Sequence, residues 1–310
     1  MCPQLARETE VDVLVLGAGA GVKSWDGAPA SRPLRTKGKR QAQKIGAFLG
    51  REDLRPDRVL TDGSQRARVT AEKALKAAGW TARDIETSAA LASGALPDLS
   101  ASQCPLLVAL PGTLRTLIEG LPFGPQSDLR PDRHCGLAPG VLLRLSHTPG
   151  HTRLLARTDP QTLPDLFPYP APDGAGRRER PAYYYRQSAV IPFRRTPDGR
   201  QILIVGSSSG RHWTVPKGIV DPGLTPAASA GVEAREEAGI EGEIEEIPLG
   251  HFTYEKWGAP CKVTVFAMEV TKVLEGEAWE ESHRRRKWVS RQEAAELLWL
   301  EAFREMVAGM

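Results

Sequence analysis

The sequence predicts two domains: an N-terminal α/β domain with a mainly parallel, helix-covered sheet, and a C-terminal α+β domain with a mixed sheet and flanking helices. Three observations support this fold class. The chain has 310 residues, more than the roughly 100–200 residues of an ordinary domain. A stretch rich in Pro, Gly and charge, residues 159–182, interrupts it near the middle. Strands alternate with helices before this stretch, whereas tight turns join strands after it.

Composition narrows the class of protein. Hydrophobic residues make up 41% and charged residues 25% of the chain, and the net charge is +3. No apolar run approaches the roughly 18–20 residues of a membrane span, and so small a charge gives no strong nucleic-acid signal. The 4 cysteines form no CxxC pair and the first residues lack the pattern of a secretion signal. We therefore expect a cytoplasmic protein without a membrane segment; the sequence leaves open whether it forms a homodimer.

Residues 1–158 form the predicted N-terminal domain. Val11–Gly17 is an apolar, β-branched strand, Gly38–Glu52 is an amphipathic helix, and Asp57–Asp62 is a second strand. The glycine-rich segment Gly17–Gly21 suggests a dinucleotide fingerprint, but two prolines stand where the phosphate-binding helix should begin. The alternation therefore predicts a parallel sheet without a bound dinucleotide.

The same half resembles the histidine phosphatase superfamily, in its small phosphohistidine-phosphatase branch, through PLRTKGKRQAQKIGAFL, LRPDRVLTD and SQRARVTAEKAL. The family places an Arg-His pair, which carries the nucleophile, after the first strand, and a Gly-His pair after a later strand. Here these positions read Gly17-Ala18 and Ala109-Leu110, while the family arginine is retained as Arg66. Because a methyl group cannot attack phosphorus, the resemblance implies an inactive domain.

The predicted linker, residues 159–182, should contain neither a helix nor a central strand. In the C-terminal domain, residues 183–310, strands Gln187–Phe193 and Gln201–Val205 flank a turn at 196–199, and Cys261–Val270 is a later strand.

Three carboxylates share one face of the helix that follows. Thr225 and Pro226 predict its start and Gly239 its end. Glu233, Glu236 and Glu237 lie at positions i, i+3 and i+4, where like charges repel. A divalent cation reverses this repulsion, and oxygen ligands without His or Cys suit Mg²⁺, with Mn²⁺ as a substitute. The other interpretation, a solvated acidic face paired with Arg235, is disfavoured by the upstream Pro-Lys-Gly motif.

The whole segment from His212 to Ile240 resembles the Nudix box: Gly, five residues, Glu, seven residues, then Arg-Glu-aliphatic-x-Glu-Glu-x-Gly-aliphatic. The spacing is kept from Gly218 onward. The resemblance implies a metal site at Gly218 with the three glutamates, which are also the predicted catalytic residues. Leu224 and Val232 replace the first Glu and the Arg of the box, and their joint loss leaves no orphaned charge. Arg235 is a candidate to take over part of the orienting role.

Substrate-binding residues are predicted on both sides of this helix. HWTVPKGIVDPG is most similar to dinucleoside polyphosphate hydrolases, and EESHRRRKWVS to diphosphoinositol polyphosphate enzymes. Both substrates are rich in phosphate, and Lys217 with the basic run is expected to form one cationic surface. Aromatic residues are candidates to stack on a base, although such residues are often core. The predicted residues are Lys217, Trp213, Tyr254, Arg284, Arg285, Arg286 and Lys287, with Trp257 as a further aromatic candidate.

These features predict Mg²⁺-dependent hydrolysis of a phosphoanhydride in a small-molecule polyphosphate, with a dinucleoside polyphosphate as first choice and an inositol pyrophosphate as the next. The base is one of the three helix glutamates, Glu280 or Glu281. One alternative is a non-catalytic sensor of nucleotides or inositol phosphates that uses both altered domains. Another is an active phosphohistidine phosphatase, which would require a nucleophile among His134, His147 and His151, outside the motif positions.

Overall fold

A computed structural model describes residues 10–81, 84–124, 137–171, 174–197 and 199–310. Contacts between residues divide the chain into two compact units, Met1–Arg177 and Arg178–Met310. The two units have the two different sheet architectures that the sequence predicts. In the described ranges no helix combines the length and the apolar character that crossing a bilayer requires.

The first unit alternates strands with helices along most of its length. Its strands are β1 (Val11–Gly17), β2 (Arg58–Thr61), β3 (Ile85–Thr87), β4 (Pro105–Ala109), β5 (Leu142–Thr148), β6 (His151–Thr158), β7 (Phe167–Ala171) and β8 (Gly174–Arg178, whose last residue falls in the second unit). Its helices are α1 (Thr36–Arg51), α2 (Gln65–Ala77), α3 (Ala89–Ala92) and α4 (Pro111–Glu119).

The main sheet of this unit has the order β3-β2-β4-β1-β5-β6. The first four strands are parallel, and β5 and β6 are antiparallel additions. Side chains of β1 alternate between two cores, so that Leu14 packs with α1 and α2 while Val15 packs with α4. Burial on both faces explains why β1 is a nearly continuous apolar run. The mainly parallel, helix-covered sheet is therefore confirmed.

The predicted linker contains regular structure that the sequence reading did not expect. Strands β7 and β8 pair with each other in a two-stranded sheet. Both strands of such a sheet are edges, which is why the prolines of β7 are tolerated there. The segment also packs on α1, where Lys44 pairs with Asp165 at 2.7 Å and the Arg40 guanidinium lies over the Phe167 ring. Most of it thus belongs structurally to the first unit.

The second unit is built mainly from antiparallel strands. Its strands are β9 (Arg186–Thr196), β10 (Gly199–Gly206), β11 (Trp213–Thr214), β12 (Lys217–Ile219), β13 (Ile240–Ile244), β14 (Gly250–Lys256), β15 (Ala259–Val273) and β16 (Arg286–Ser290). Its helices are α5 (Pro226–Ala238), α6 (Arg291–Leu297) and α7 (Glu301–Gly309).

The sheet of this unit is mixed. Its order is β11-β10-β9-β15-β13, with β12 on β9, β14 on β15 and β16 on β10, and the central β9–β15 pair is parallel. One face packs against α5, through Val190 and Ala234, and the other against α6 and α7, through Ile191 and Phe303. The predicted mixed sheet with flanking helices is confirmed. The predicted turn between β9 and β10 joins Thr196 to Gly199, which are paired, and Asp198 lies outside the described residues.

Candidate active site

The predicted glutamate helix forms as α5, and both ends are fixed as the sequence indicates. The Thr225 hydroxyl accepts a hydrogen bond from the Ala228 amide at 3.2 Å, and Pro226 occupies the first position. Gly239 ends the helix in the left-handed region, at φ 61°. Arg286 adds a contact that the sequence did not reveal, because its Nη1 donates to the Ala238 carbonyl at 2.7 Å. The helix is therefore held at both termini.

Strand β12, which carries Gly218, lies along α5. The Ser229 hydroxyl donates to the Ile219 carbonyl at 3.0 Å, which fixes the helix to the strand. A Cβ at Gly218 would lie 1.8 Å from Glu233 Oε1. The carboxylate thus occupies the space that any other side chain at this position would need. A larger residue at position 218 would have to displace the Glu233 carboxylate, whereas the backbone conformation of Gly218 does not itself call for glycine.

The carboxylates of α5 line a cavity of about 350 Å³. Basic and aromatic residues from β12 and from the β14–β15 hairpin line the same cavity. The lining residues that bear on chemistry are Gln187, Lys217, Gly218, Asp221, Glu233, Glu236, Glu237, Lys256 and Trp257. Leu224 and Val232, the two substituted positions of the box, line it as well.

Burial and mutual repulsion shift the acid–base equilibria of these carboxylates. Burial, together with the neighbouring charges of Glu237, Glu236, Asp221 and Glu281, raises the pKa of Glu233 to about 8. Burial also raises the pKa of Glu236, which lies near several of the same carboxylates. The site therefore concentrates negative charge that the surrounding protein only partly compensates.

Glu237 differs from the other two because both of its oxygens accept hydrogen bonds. Oε2 accepts from the Lys217 amide at 3.0 Å, and Oε1 accepts from Arg284 Nη2 at 2.7 Å. Burial raises the pKa of Glu237, while these two donors act in the opposite direction. Glu237 is consequently held in one orientation.

Lys217 places its ammonium group inside the domain. Nζ donates to Gln187 Oε1 at 2.7 Å and to the Tyr254 hydroxyl at 3.0 Å, and that hydroxyl donates to Gln187 Oε1 at 2.8 Å. Burial lowers the pKa of Lys217, although the charges of Glu237 and Glu233 favour its protonated form. Tyr254 thus supports Lys217 rather than lining the cavity itself.

The predicted metal ligands share the cavity without converging on one point. In the described ranges, no cluster of three or more His, Cys, Asp or Glu side chains is arranged to hold a metal ion. The donor set nevertheless fits a hard cation. Ser188 lies opposite Gly218 in the β9–β12 register, and directly opposed residues of two strands face the same side of the sheet, here the side covered by α5. Its buried hydroxyl has no hydrogen-bond partner, so it is an oxygen that a hard cation or its bound water could contact.

The basic run 284–287 does not form the single cationic surface expected from the sequence. Strand β16 begins within the run, so successive side chains project to opposite faces of the sheet. Arg284 pairs with Glu237, and Arg286 donates to carbonyls at the end of α5. Lys287 pairs with Glu293 at 2.9 Å, on the other face. The exposed Arg285 lies over the Trp213 ring instead of pointing into the cavity.

Two further expectations are corrected by the geometry. Trp213 packs with the core around α6 and α7 and does not line the cavity. Arg235 does not take over an orienting role, since its side chain is exposed and pairs with Glu241 at 3.2 Å. Position 235 lies on the solvent side of α5, two residues beyond Glu233, which explains why it cannot reach the other carboxylates.

Several lining residues were not found from the sequence. Gln187 and Asp221 lie in strand and loop segments whose proximity to α5 depends on the fold. Lys256 in β14 pairs with Ala259 in β15, and the two residues between them, Trp257 and Gly258, form a tight turn. The position of Lys256 at the cavity thus depends on this pairing. The glycine at position 258, between two segments of alternating polarity, is the signal that could have placed the tip of a hairpin here.

In the first unit, the positions that correspond to the phosphatase motifs do come together. Gly17 and Ala109 are partners in the β1–β4 register, and the Ala18 amide donates to the Ala109 carbonyl at 2.8 Å. Leu110 follows at the start of α4. Arg66 Nη2 donates to the Gly19 carbonyl at 2.7 Å, so that its guanidinium is tied to the loop after β1.

Neither histidine in the described part of this unit lies at that edge. His147 pairs with Val11 at the opposite end of β1, and its ring contacts Thr152 at 2.8 Å. His151 is exposed at the start of β6. His134 lies outside the described residues.

Comparison with known proteins identifies the second unit. A NUDIX domain model matches residues 185–308. The asymmetrical bis(5′-nucleosyl)-tetraphosphatase of Mus musculus is 33% identical over 114 residues, 36% of this chain and 76% of that protein. The chain belongs to the Nudix family. Nudix hydrolase 12, mitochondrial, of Arabidopsis thaliana is 34% identical over 106 residues, 31% of this chain. The chain spans about half the length of the two plant Nudix hydrolases it matches, 51% and 52%.

A solved SixA structure from Agrobacterium tumefaciens, a candidate phosphohistidine phosphatase, is also similar. It has a TM-score of 0.39 and 18% identity, and the match covers 48% of this chain and 97% of that one.

The raised pKa of Glu233 predicts how the Nudix domain responds to pH when divalent cations are removed with EDTA. Between the usual carboxyl pKa of 4.5 and about 8, the folded chain binds a proton at Glu233 that the unfolded chain has released. The free energy of unfolding should therefore fall as pH rises through this window. Glu233→Gln should be more stable than the wild type at pH 8, with a difference that shrinks toward pH 5, as measured by thermal unfolding.

Glu305→Gln, at an exposed position of α7, is the matched control and should leave the pH dependence unchanged. Identical pH profiles for Glu233→Gln and the wild type would show that Glu233 is not a buried acid.

Proposed function

We propose that the Nudix domain hydrolyses a phosphoanhydride bond of a polyphosphate-rich nucleotide with Mg²⁺ as cofactor, and that Mn²⁺ can substitute. A dinucleoside polyphosphate is the first choice of substrate and an inositol pyrophosphate the alternative. The observation that carries the proposal is that one cavity is lined both by the carboxylates of α5 and by Lys217, Lys256 and Trp257. Such a cavity offers sites for a cation, for phosphate oxygens and for an aromatic base.

The residues have separate roles in this proposal. Glu233, Glu236 and Glu237 would hold the cation together with the backbone at Gly218. A bound Mg²⁺ polarises a phosphoryl oxygen and neutralises part of the charge of the polyphosphate. Lys256, which is exposed at the cavity, would bind a phosphate oxygen in place of water. The general base is one of the carboxylates around the cavity, either on α5 or in the nearby segment at 280–281.

Trp257 favours a nucleotide over an inositol pyrophosphate. It adopts φ 54°, in the left-handed region, within the two-residue turn between β14 and β15. This conformation costs a residue with a Cβ about 1–2 kcal/mol. The Tyr185 hydroxyl donates to the Trp257 carbonyl at 2.9 Å, and the Tyr184 ring meets the indole edge-on at 5.3 Å. A strained aromatic residue held at the rim of a polar cavity is suited to stack on a base.

We further propose that the first unit has no phosphatase activity. Ala18 is fully buried, Leu110 occupies the second motif position, and the described histidines lie elsewhere. Arg66 alone can bind an anion but cannot form a covalent phospho-intermediate. The alternative function for the whole chain is a sensor that binds such a ligand without turning it over.

Glu236→Gln tests the proposed activity. With diadenosine tetraphosphate and saturating Mg²⁺, we expect kcat to fall by at least about 100-fold, the lower end of what a positioned acidic group contributes. The fold should be retained because neutralising one carboxylate relieves repulsion on the helix face. The measurement is product formation by chromatography, with thermal unfolding as the check on folding.

Glu243→Gln, at an exposed position of β13, is the control and should keep wild-type turnover. Unchanged turnover in Glu236→Gln would rule out the helix assignment, and absence of turnover in the wild type would favour the sensor. Phosphate release from a phosphomonoester by Glu236→Gln would show that the first unit is active.

Trp257→Asn tests the choice of a nucleotide. Asn-Gly suits a turn with two positive φ values, so the hairpin should persist without the ring. Loss of base stacking should raise KM for diadenosine tetraphosphate by roughly 5- to 100-fold and leave KM for inorganic tripolyphosphate within about twofold. Trp299→Asn, which removes an exposed ring stacked on His212 and outside the cavity lining, is the matched control. Equal changes for both substrates would exclude stacking on Trp257.

A further inference from the structure

We propose that Arg284 is a positioning residue of the Nudix site, which fixes Glu237 for metal binding and hydrolysis, and that it does not bind substrate phosphate. The choice of Glu237 as its target rests on the proposed function. Arg284 belongs to no motif, and from the sequence it was expected to bind substrate phosphate. The geometry points to the different role.

All three guanidinium nitrogens of Arg284 are engaged within the domain. Nη2 donates to Glu237 Oε1 at 2.7 Å, Nε donates to Glu281, and Nη1 donates to the Gly206 carbonyl at 3.3 Å. The Arg284 side chain is only 8% exposed, and that of Glu237 13%. A planar fork that bonds three groups fixes the orientation of each, which a single ammonium group cannot do.

The loop that carries Arg284 is anchored on both sides of the site. The Glu281 amide donates to the Glu236 carbonyl at 3.2 Å, which ties the loop to the last turn of α5. The Gly206 amide donates to the Arg285 carbonyl at 2.7 Å, which ties it to the end of β10. Arg284 is thus fixed relative to the helix that it pairs with.

Among the described residues, Arg284 is the one whose cationic side chain forms an ion pair with Glu237. Val232, on α5, has no charge and is 45% exposed, and Arg235 pairs with Glu241. Lys217 contributes its amide to Glu237, while its ammonium group bonds Gln187 and Tyr254. In the described part of the chain, Arg284 is the side-chain cation that pairs with a cavity-lining carboxylate of α5.

A role in binding phosphate conflicts with these contacts. Arg284 does not line the cavity, and a phosphate could reach its guanidinium only if the bond to Glu237 were broken. That would leave a largely buried carboxylate without its cation, which is costly. The arrangement is stable only when Arg284 stays on Glu237.

Arg284→Lys keeps the charge and loses the fork. We expect kcat for diadenosine tetraphosphate to fall about 10- to 100-fold, as for other residues that orient metal ligands, with KM within about twofold. The Kd for Mn²⁺, measured by calorimetry on the substrate-free chain, should weaken by about tenfold or more. A raised KM with unchanged Mn²⁺ affinity would show instead that Arg284 binds substrate, and would overturn the proposal.

A double-mutant cycle with Glu237→Gln isolates the coupling. If Arg284 acts through Glu237, adding Arg284→Lys to Glu237→Gln should change the Mn²⁺ Kd less than about twofold. Additive losses would overturn the proposal. If Arg284→Lys alone folds poorly, the double variant still gives a result, because with Gln at position 237 there is no buried carboxylate left without its partner.

Arg285→Lys is the matched control. Its side chain is exposed and donates to the Gly210 carbonyl, so kcat, KM and Mn²⁺ affinity should all stay within about twofold of the wild type. Absence of turnover in the wild type would overturn the proposed function alone, since the Mn²⁺ measurements still decide the role of Arg284. A wild-type chain that binds no Mn²⁺ would overturn both.

Discussion

The contact between the Glu233 carboxylate and the backbone of Gly218 is the constraint on which the rest of the site depends. A Cβ at Gly218 would lie 1.8 Å from Glu233 Oε1, so the Glu233 carboxylate can occupy this position only because residue 218 is glycine. The hydroxyls of Thr225 and Ser229 and the guanidinium of Arg286 hold the helix in that position. The same approach buries three like charges together, which raises the pKa of Glu233 to about 8.

Charge compensation at this helix is divided between several elements rather than supplied by α5 itself. Arg284 and the Lys217 amide hold Glu237, while the proposed cation would hold Glu233 and Glu236. Removing one partner of a buried ion pair typically costs about 3–5 kcal/mol. The Arg284–Glu237 pair therefore links the stability of the loop at 280–285 to the geometry of the carboxylates. A chain with Val at position 232 can keep an oriented Glu237 in this way.

The sequence predicted those elements whose ends and faces are determined by residues close together in the chain. The start, end and acidic face of α5 were predicted from Thr225, Pro226 and Gly239, and β1 was predicted at its observed bounds. The division of the run 284–287 was not predictable, because it depends on where β16 begins and on a partner of Arg284 that lies 47 positions earlier. Trp257 was a candidate from the sequence, but its place in the cavity follows from the pairing of β14 with β15. The two-stranded sheet within the predicted linker was not predicted.

The most direct test of this account is the affinity of the Gly218→Ala variant for Mn²⁺, measured by calorimetry on the substrate-free chain. The added methyl group should displace Glu233 and weaken binding by about tenfold or more, while the unfolding temperature stays close to that of the wild type. Gly112→Ala, at a helical position with no atom within 4 Å of the added Cβ, should leave the affinity unchanged. Wild-type affinity in Gly218→Ala would contradict the account, because the carboxylate would then not depend on the space that glycine leaves.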